Sequence, residues 1–180
     1  HVTHSQQEAL AVADLVVVMN EGRIEQSASA REIFNHPATS FVARFIGGHN
    51  VLSGRIEQAG EGGQFPLTVD GGTVLGHAES ATAGPADVAV RSDRVTVSPA
   101  ERTADAPNSL AARVRAIEYH GATVKLDLDV DAAGEFTAVM SEADFFQAPV
   151  EEGQGVTATW PAEAVHLLSQ TSGARSAPTT

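Results

Sequence analysis

Two textures of apolar and polar positions meet near residues 47 to 50 of this 180-residue chain. Ahead of that point, short amphipathic segments alternate with a buried run. Ser5-Gln6-Gln7-Glu8 has the S-x-x-E form of a capping box, in which hydroxyl and carboxylate satisfy the free amides of a first helical turn. Ala9, Leu10, Val12 and Ala13 then supply an apolar helical face, so a helix is predicted from Ser5. The unbroken run Leu15 to Met19 is short and rich in β-branched residues, which suits a strand covered on both faces, as in a parallel sheet. Gly22 predicts a turn into a second strand, Arg23 to Gln26. Ser29-Ala30-Arg31-Glu32 repeats the capping signature, and its helix must stop before Pro37, because proline disfavours the helical state at His36. Phe41, Val42, Phe45 and Ile46 share a helical face that Gly47-Gly48 ends.

From Val51 onward the apolar runs become short and alternating, separated by Gly, Pro and Asp. Strands are predicted at Val51 to Gln58, Phe65 to Val69, Thr73 to Leu75, Val88 to Val90, Val95 to Val97, Ala111 to Tyr119, Thr123 to Val130, Phe136 to Met140 and Val156 to Trp160. The clearest pattern is Val124, Leu126, Leu128 and Val130 alternating with Lys125, Asp127, Asp129 and Asp131, the period of a half-buried strand. Asp70-Gly71-Gly72, His120-Gly121 and Ala133-Gly134 mark hairpin turns. Many short strands at this spacing indicate a small barrel. Pro99 to Asn108 has no period and reads as a loop, and Ser169 to Thr180, rich in Ser, Thr, Ala and Gly, reads as a disordered tail. The division expected is therefore 1–48 for the α/β part, 49–168 for the β domain and 169–180 for the tail.

Charge and composition narrow the function. A formal net charge of -12, with Lys and Arg scattered, repels phosphate backbones and argues against a nucleic-acid partner. The absence of cysteine excludes a disulfide framework and a thiolate metal site. The apolar run at Leu15 to Met19 is far below the roughly 20 residues that span a bilayer. The chain starts at His1, not Met, and reads as a fragment of something longer.

His4 is the residue whose local setting points to catalysis. It falls where a strand ends and a capped helix begins, and open α/β sheets collect ligands at the carboxyl ends of their strands. A neutral imidazole there can contact a phosphate or an attacking water, although most lone histidines are structural. His1 and His4 have H-x-x-H spacing, but no third ligand converges, so a metal site is not expected. Trp160 alternates with Val156 and reads as core rather than as a ligand platform.

The run Val2-Thr3-His4-Ser5-Gln6-Gln7-Glu8-Ala9-Leu10, continued by Ala13 to Gln26, Arg31 to Thr39 and Phe41 to Gly47, resembles the H-loop region and the end of the nucleotide-binding domain in ABC importer ATPases of the maltose, sulfate, ferric iron and polyamine type. Ser5 and Gln6 stand where many members have Asp and Gln or Glu, and Ser27-Ala28-Ser29-Ala30 replaces a more usual Gly and Pro pairing. Three later segments resemble, more loosely, the TOBE domain that follows the ATPase domain in the same importers: Asn50 to Ile56, Val88 to Val95 and Val156 to Leu168. Arg91-Ser92-Asp93 replaces the Arg-Pro-Glu of many relatives. The fold this implies is an α/β fragment, the end of a P-loop NTPase domain, followed by an all-β OB-like (TOBE) barrel domain.

By resemblance, His4 is the switch histidine that contacts the γ-phosphate, and the parent protein uses ATP and Mg. ATP hydrolysis needs a G-x-x-x-x-G-K-[ST] phosphate loop and an acidic pair. The single lysine, Lys125, is followed by Leu126, so these 180 residues are not expected to bind a cofactor or turn over ATP alone. The implied partners are a second copy, through the nucleotide-binding and TOBE domains, the transporter's membrane-spanning subunits and, indirectly, a periplasmic or lipoprotein substrate-binding protein, at the cytoplasmic face of the membrane. Phe45 to Leu52 looks most like polyamine-type or sulfate-type members, and the polyamine type is preferred. Arg91 and Arg94 are the candidates for a small-anion contact in this acidic chain, against the plainer reading that they pair with Asp87 and Asp93. The alternative function is a small-anion-binding regulatory module, of sulfate or molybdate type, not itself coupled to transport.

Overall fold

A computed structural model describes residues 10–58, 63–99, 106–130 and 134–169. His1 and His4, the capping box at Ser5 and the tail beyond Ser169 lie outside the described residues. Residues 10–12 are helical.

Strands β1 (Val16–Asn20) and β2 (Arg23–Ala28) form an antiparallel hairpin. Its turn places Glu21 at φ 47° and Gly22 at φ 77°, a conformation open to glycine and tolerated by few other residues. Helix α1 (Ala30–Asn35) is capped as its sequence requires, with Ser29 Oγ accepting from the Glu32 amide at 3.2 Å. Helix α2 (Ser40–Ile46) is capped by Thr39, and Gly47 follows at φ 78°. Val16 and Val18 pack with Ile33 and Val42 into a small core. The predicted double coverage of β1 does not occur: Val16 and Val18 are buried, whereas Val17 and Met19 point outward. With one antiparallel neighbour and helices on one face, the other face of the hairpin has nothing packed against it among the described residues.

The remaining strands form two five-stranded antiparallel sheets. They are β3 (His49–Ile56), β4 (Gln64–Val69), β5 (Gly72–His77), β6 (Gly84–Arg91), β7 (Thr96–Pro99), β8 (Asn108–His120), β9 (Thr123–Val130), β10 (Gly134–Ser141), β11 (Gly155–Trp160) and β12 (Val165–Leu167). One sheet runs β12-β6-β3-β4-β5 and the other β10-β9-β8-β11-β7. Their inner faces share one core, in which Trp160, Phe65, Phe136, Leu52, Leu67, Leu126 and Leu128 are the largest fully buried side chains. Trp160 lies against Phe136, with ring centroids 5.4 Å apart, as its core reading expects.

The order of strands shows a duplication. β3 to β6 of the first half and β8 to β11 of the second occupy matching places, and each half sends its last short strand, β7 or β12, to the other sheet. A short 3₁₀ turn precedes the exchange in both halves, at Ser92–Arg94 and at Ala162–Ala164. The sequence carries the repeat as Asn50-Val-Leu-Ser-Gly-Arg-Ile56 and Asn108-Ser-Leu-Ala-Ala-Arg-Val114. Both asparagines do the same work. Asn50 exchanges two hydrogen bonds, of 2.7 and 2.8 Å, with the backbone of Thr137 on edge strand β10. Asn108 exchanges two, of 2.6 and 3.0 Å, with Leu75 on edge strand β5. Each side chain thus pairs an edge strand of the opposite sheet and satisfies backbone groups that would otherwise lack partners. Asn108, at the end of the aperiodic segment that reads as a loop, instead begins β8 and is fully buried. Helix α3 (Glu142–Gln147) is an insertion in the second half alone, capped by Ser141.

Candidate functional site: the junction between the hairpin segment and the β domain

The loop between α1 and α2 meets the end of the β domain through a backbone bond, Ser169 N–H donating to Ala38 O at 2.8 Å; beside it Leu168 N–H donates to Asp87 O at 2.9 Å within the β domain, and Ser92 N–H donates to Gly48 O, just after α2, at 2.9 Å. Gln26 holds the loop from the other side. Its carbonyl accepts from the Ala38 amide at 2.8 Å, while its amide donates to His36 O at 2.9 Å.

Arg91, at the end of β6, is committed to this junction. Its Nε and Nη2 form a two-pronged pair with Asp93, at 2.9 and 2.5 Å, its Nη1 donates to Asn35 Oδ1, and its guanidinium sits 4.9 Å from the Phe34 ring centre. The hydrogen bond from Arg91 holds the Asp93 carboxyl below the usual carboxylate range. Asp87, the other acid near in sequence to the two arginines, accepts instead from Ser40 Oγ at 2.5 Å. Arg94 is exposed and has no carboxylate within 4 Å among the described residues.

Two histidines complete the junction. His166 points Nε2 at Pro37 O, 3.0 Å away, and His49 points Nδ1 at Gly47 O, 2.9 Å away. A carbonyl only accepts, so each of these nitrogens carries the proton. Burial lowers both imidazoles from their ordinary value, against the opposing pull of the carbonyls. His49 Nε2 is buried without a partner among the described residues. His36 packs edge-on against His166, with ring centroids 5.4 Å apart.

Beside these contacts lies an open cleft of about 540 Å³, whose lining includes Asn35, His36, His77, Arg91, Arg94 and His166. The structure therefore brings Arg91 and Arg94 to one cleft, with Arg91 bonded to Asp93 and Asn35 and Arg94 exposed. The histidines of this cleft were not anticipated. They are separated by 40 to 90 residues, and no linear motif joins them. Among the described residues no group of three or more His, Asp or Glu side chains is arranged to hold a metal ion, and no helix is long and apolar enough to cross a membrane.

Residues 88–168 match the TOBE domain family model. The fold agrees: a solved structure of the cytoplasmic molybdate-binding protein ModG superposes with a TM-score of 0.60 at 18% identity, covering 67% of this chain and 96% of that one. The class is thus a mostly β, OB-like TOBE fold. Over 86% of its length the chain is 34% identical to the sulfate/thiosulfate import ATP-binding protein CysA of Thermosynechococcus vestitus, and over 93% it is 32% identical to the spermidine/putrescine import ATP-binding protein PotA of Nitrosomonas europaea. A shorter stretch, 55% of the chain, is 42% identical to the Fe(3+) ions import ATP-binding protein FbpC of Brucella abortus and covers 28% of it. These matches bear out the family read from the sequence: the chain is a relative of ABC importer ATP-binding subunits and carries their TOBE domain. The chain spans 39% of CysA's length and 47% of PotA's.

Proposed function

We propose that the chain is the carboxyl-terminal part of the energy-coupling, ATP-hydrolysing subunit of an ABC importer. Residues 1–48 are then the end of its nucleotide-binding domain and residues 49–168 a regulatory and dimerising TOBE domain. The observation that carries this reading is the bare face of the β1–β2 hairpin. Leu15, Val17, Met19 and Ile24 are 63%, 45%, 56% and 65% exposed, directly behind the buried Val16 and Val18. A strand apolar on both sides belongs inside a sheet covered on both sides, and contiguous exposed apolar surface of this kind marks an interface. Relatives more than twice as long supply the obvious cover, a nucleotide-binding domain of which this hairpin is the last piece.

In that setting His4 contacts the γ-phosphate of ATP. Magnesium and the nucleotide are held by a phosphate loop and an acidic pair that these 180 residues do not contain. Lys125, the one lysine, is tied to Glu118 and Asp127 on the outer face of β9. The membrane-spanning subunits, a second copy of the subunit and, indirectly, a substrate-binding protein are the partners, and the cytoplasmic face of the membrane is the location. The cargo is proposed as a polyamine, though the relatives' names also include sulfate and Fe(3+). A free-standing anion-binding module would leave the bare hairpin face unexplained.

The test is the coding sequence upstream of His1. A phosphate-loop motif within about 200 residues, the size of one domain, is expected. An unrelated upstream sequence, or steady ATP turnover by the 180-residue chain alone, would overturn the reading.

A further inference from the structure

Two adjoining glycines, Gly47 and Gly48, both with positive φ, join the hairpin segment to the β domain, and a joint of that kind is a natural swivel. The structure holds it still. Ser92 gives both its amide and its hydroxyl to Gly48 O, at 2.9 and 3.2 Å, and His49 Nδ1 bonds Gly47 O. The Phe34 ring lies 3.4 Å from where a Cβ of Gly48 would stand. Motion of the hairpin segment is therefore passed to the β domain rather than absorbed between them.

A second connection shows where it is passed. Across His36 to Ser40 the loop between α1 and α2 is gripped from two sides in alternation. From the hairpin, Gln26 bonds His36 O and the Ala38 amide, and Glu25 accepts at 3.0 Å from Thr39 Oγ1, the same hydroxyl that caps α2. From the β domain, His166 donates to Pro37 O, Ser169 N–H donates to Ala38 O, and Asp87 accepts from Ser40 Oγ. Pro37 and Thr39 are buried. A segment bonded in this way cannot follow one neighbour without pulling on the other.

On the β-domain side, the strand it pulls has little support of its own. β12 has three residues, pairs with β6 alone and continues through Leu168 to Ser169. Two of its ties, the His166 ring and the Ser169 amide, run to the loop. Closing the fold does not require them. Aligning the two 3₁₀ turns, Ser92 with Ala162, sets Thr96 against His166 and Pro99 against Ser169. The matching exchanged strand, β7, thus has neither an imidazole nor an amide N–H at those places.

We propose that residues 36–40 form a strap that couples the seating of β12 to the position of the hairpin, with Gln26 as the positioning residue on the hairpin side. The end of the β domain then opens together with the hairpin, although it belongs to another sheet. The coupling does not depend on the importer reading, because every residue in it lies in this chain.

Native-state hydrogen exchange on the 180-residue chain tests it. Val18→Ala weakens the small hairpin core, in which neither the strap nor β12 takes part. Exchange of the β2 amides should rise roughly tenfold, and that of the Ser169 amide by the same factor, while β8 and β9 keep the parent rate. With Gln26→Ala also present, which cuts the strap from the hairpin, Val18→Ala should move Ser169 by less than about twofold. His166→Ala should weaken the coupling from the other side, and His166→Gln, which keeps a donor for Pro37 O, should preserve it. A Ser169 rate that ignores Val18→Ala, or that follows it equally with Gln26→Ala present, would overturn the proposal. Should Val18→Ala unfold the hairpin outright, the parent chain in rising urea decides. Ser169 should then share the urea dependence of the β2 amides, and sharing that of β8 would overturn the coupling as well.

Discussion

The hairpin segment, residues 10–46, and the β domain, residues 49–168, bury their apolar side chains to different degrees. Six of the eight large apolar side chains exposed among the described residues lie in the first: Val12, Leu15, Val17, Met19, Ile24 and Phe45. The β domain, with more than twice as many residues, leaves only Tyr119 and Phe146 in that class. Such isolated exposures are ordinary on any surface, whereas a contiguous sheet face is not. The β domain closes on itself because each sheet lends the other a strand and an asparagine clamp. The hairpin segment closes only on one side, and its stability in this chain rests on a small core and on the junction.

The first way to break this contrast is to open the β domain. Asn108→Ala should lower unfolding stability by about 2 to 3 kcal/mol, because it leaves both backbone groups of the half-buried Leu75 without partners. Asn50→Ala should have a comparable effect through Thr137. Urea unfolding measures both, and a loss confined to the hairpin segment would refute the clamp role. Next is Gly54→Ala, expected to cost about 2 kcal/mol in the same assay. A Cβ there would meet Thr68 O at 2.3 Å, a backbone atom that cannot rotate away.

Smaller effects belong to the junction. Arg91→Lys keeps the charge but loses the paired contact with Asp93 and the stacking on Phe34, and should cost about 1 kcal/mol. Its signature is faster amide exchange in α1 with β8 and β9 unchanged. The pH dependence has a definite sign. His49 and His166 have lowered values in the folded state, so the unfolded chain binds more protons. Their stabilising contribution is complete above the ordinary histidine value, near 6.5, and is lost as pH falls through it. Both rings are partly solvated, so the loss should stay under about 1 kcal/mol. His166→Gln, which retains a donor for Pro37 O, should flatten the profile between roughly pH 7 and 5 in thermal unfolding. An unchanged slope would mean that other groups set it.

Much of this architecture was legible in the sequence. The strand Thr123 to Val130 ends where its alternation ends, and the caps at Ser29 and the turn at Gly22 follow directly from residue chemistry. What escaped depended on long-range pairing. A five-residue apolar run looks the same whether one or both faces are covered, so the exposure of Val17 and Met19 had no local signal. The expected OB-like domain is built as two five-stranded sheets, and their exchange of β7 and β12 is a topological choice with no local signal. The repeat Asn50-x-Leu-x-x-Arg against Asn108-x-Leu-x-x-Arg was a readable clue to it, as was the Ser141-x-x-Asp144 cap to α3. The junction cleft had no such clue, since His36, His77 and Arg94 meet only through the fold. The assignments of His4 and of the tail fall outside the described residues.

The central claim, that the β domain is complete while the hairpin segment awaits a covering partner, is tested most directly by native-state hydrogen exchange on the 180-residue chain. Amides of β3, β6, β8 and β9 should exchange only through global unfolding, and those of β1 and β2 through a local opening at least about 2 kcal/mol easier. Equal protection of β1 and β8 would show that the hairpin is already fully supported, and would contradict the account.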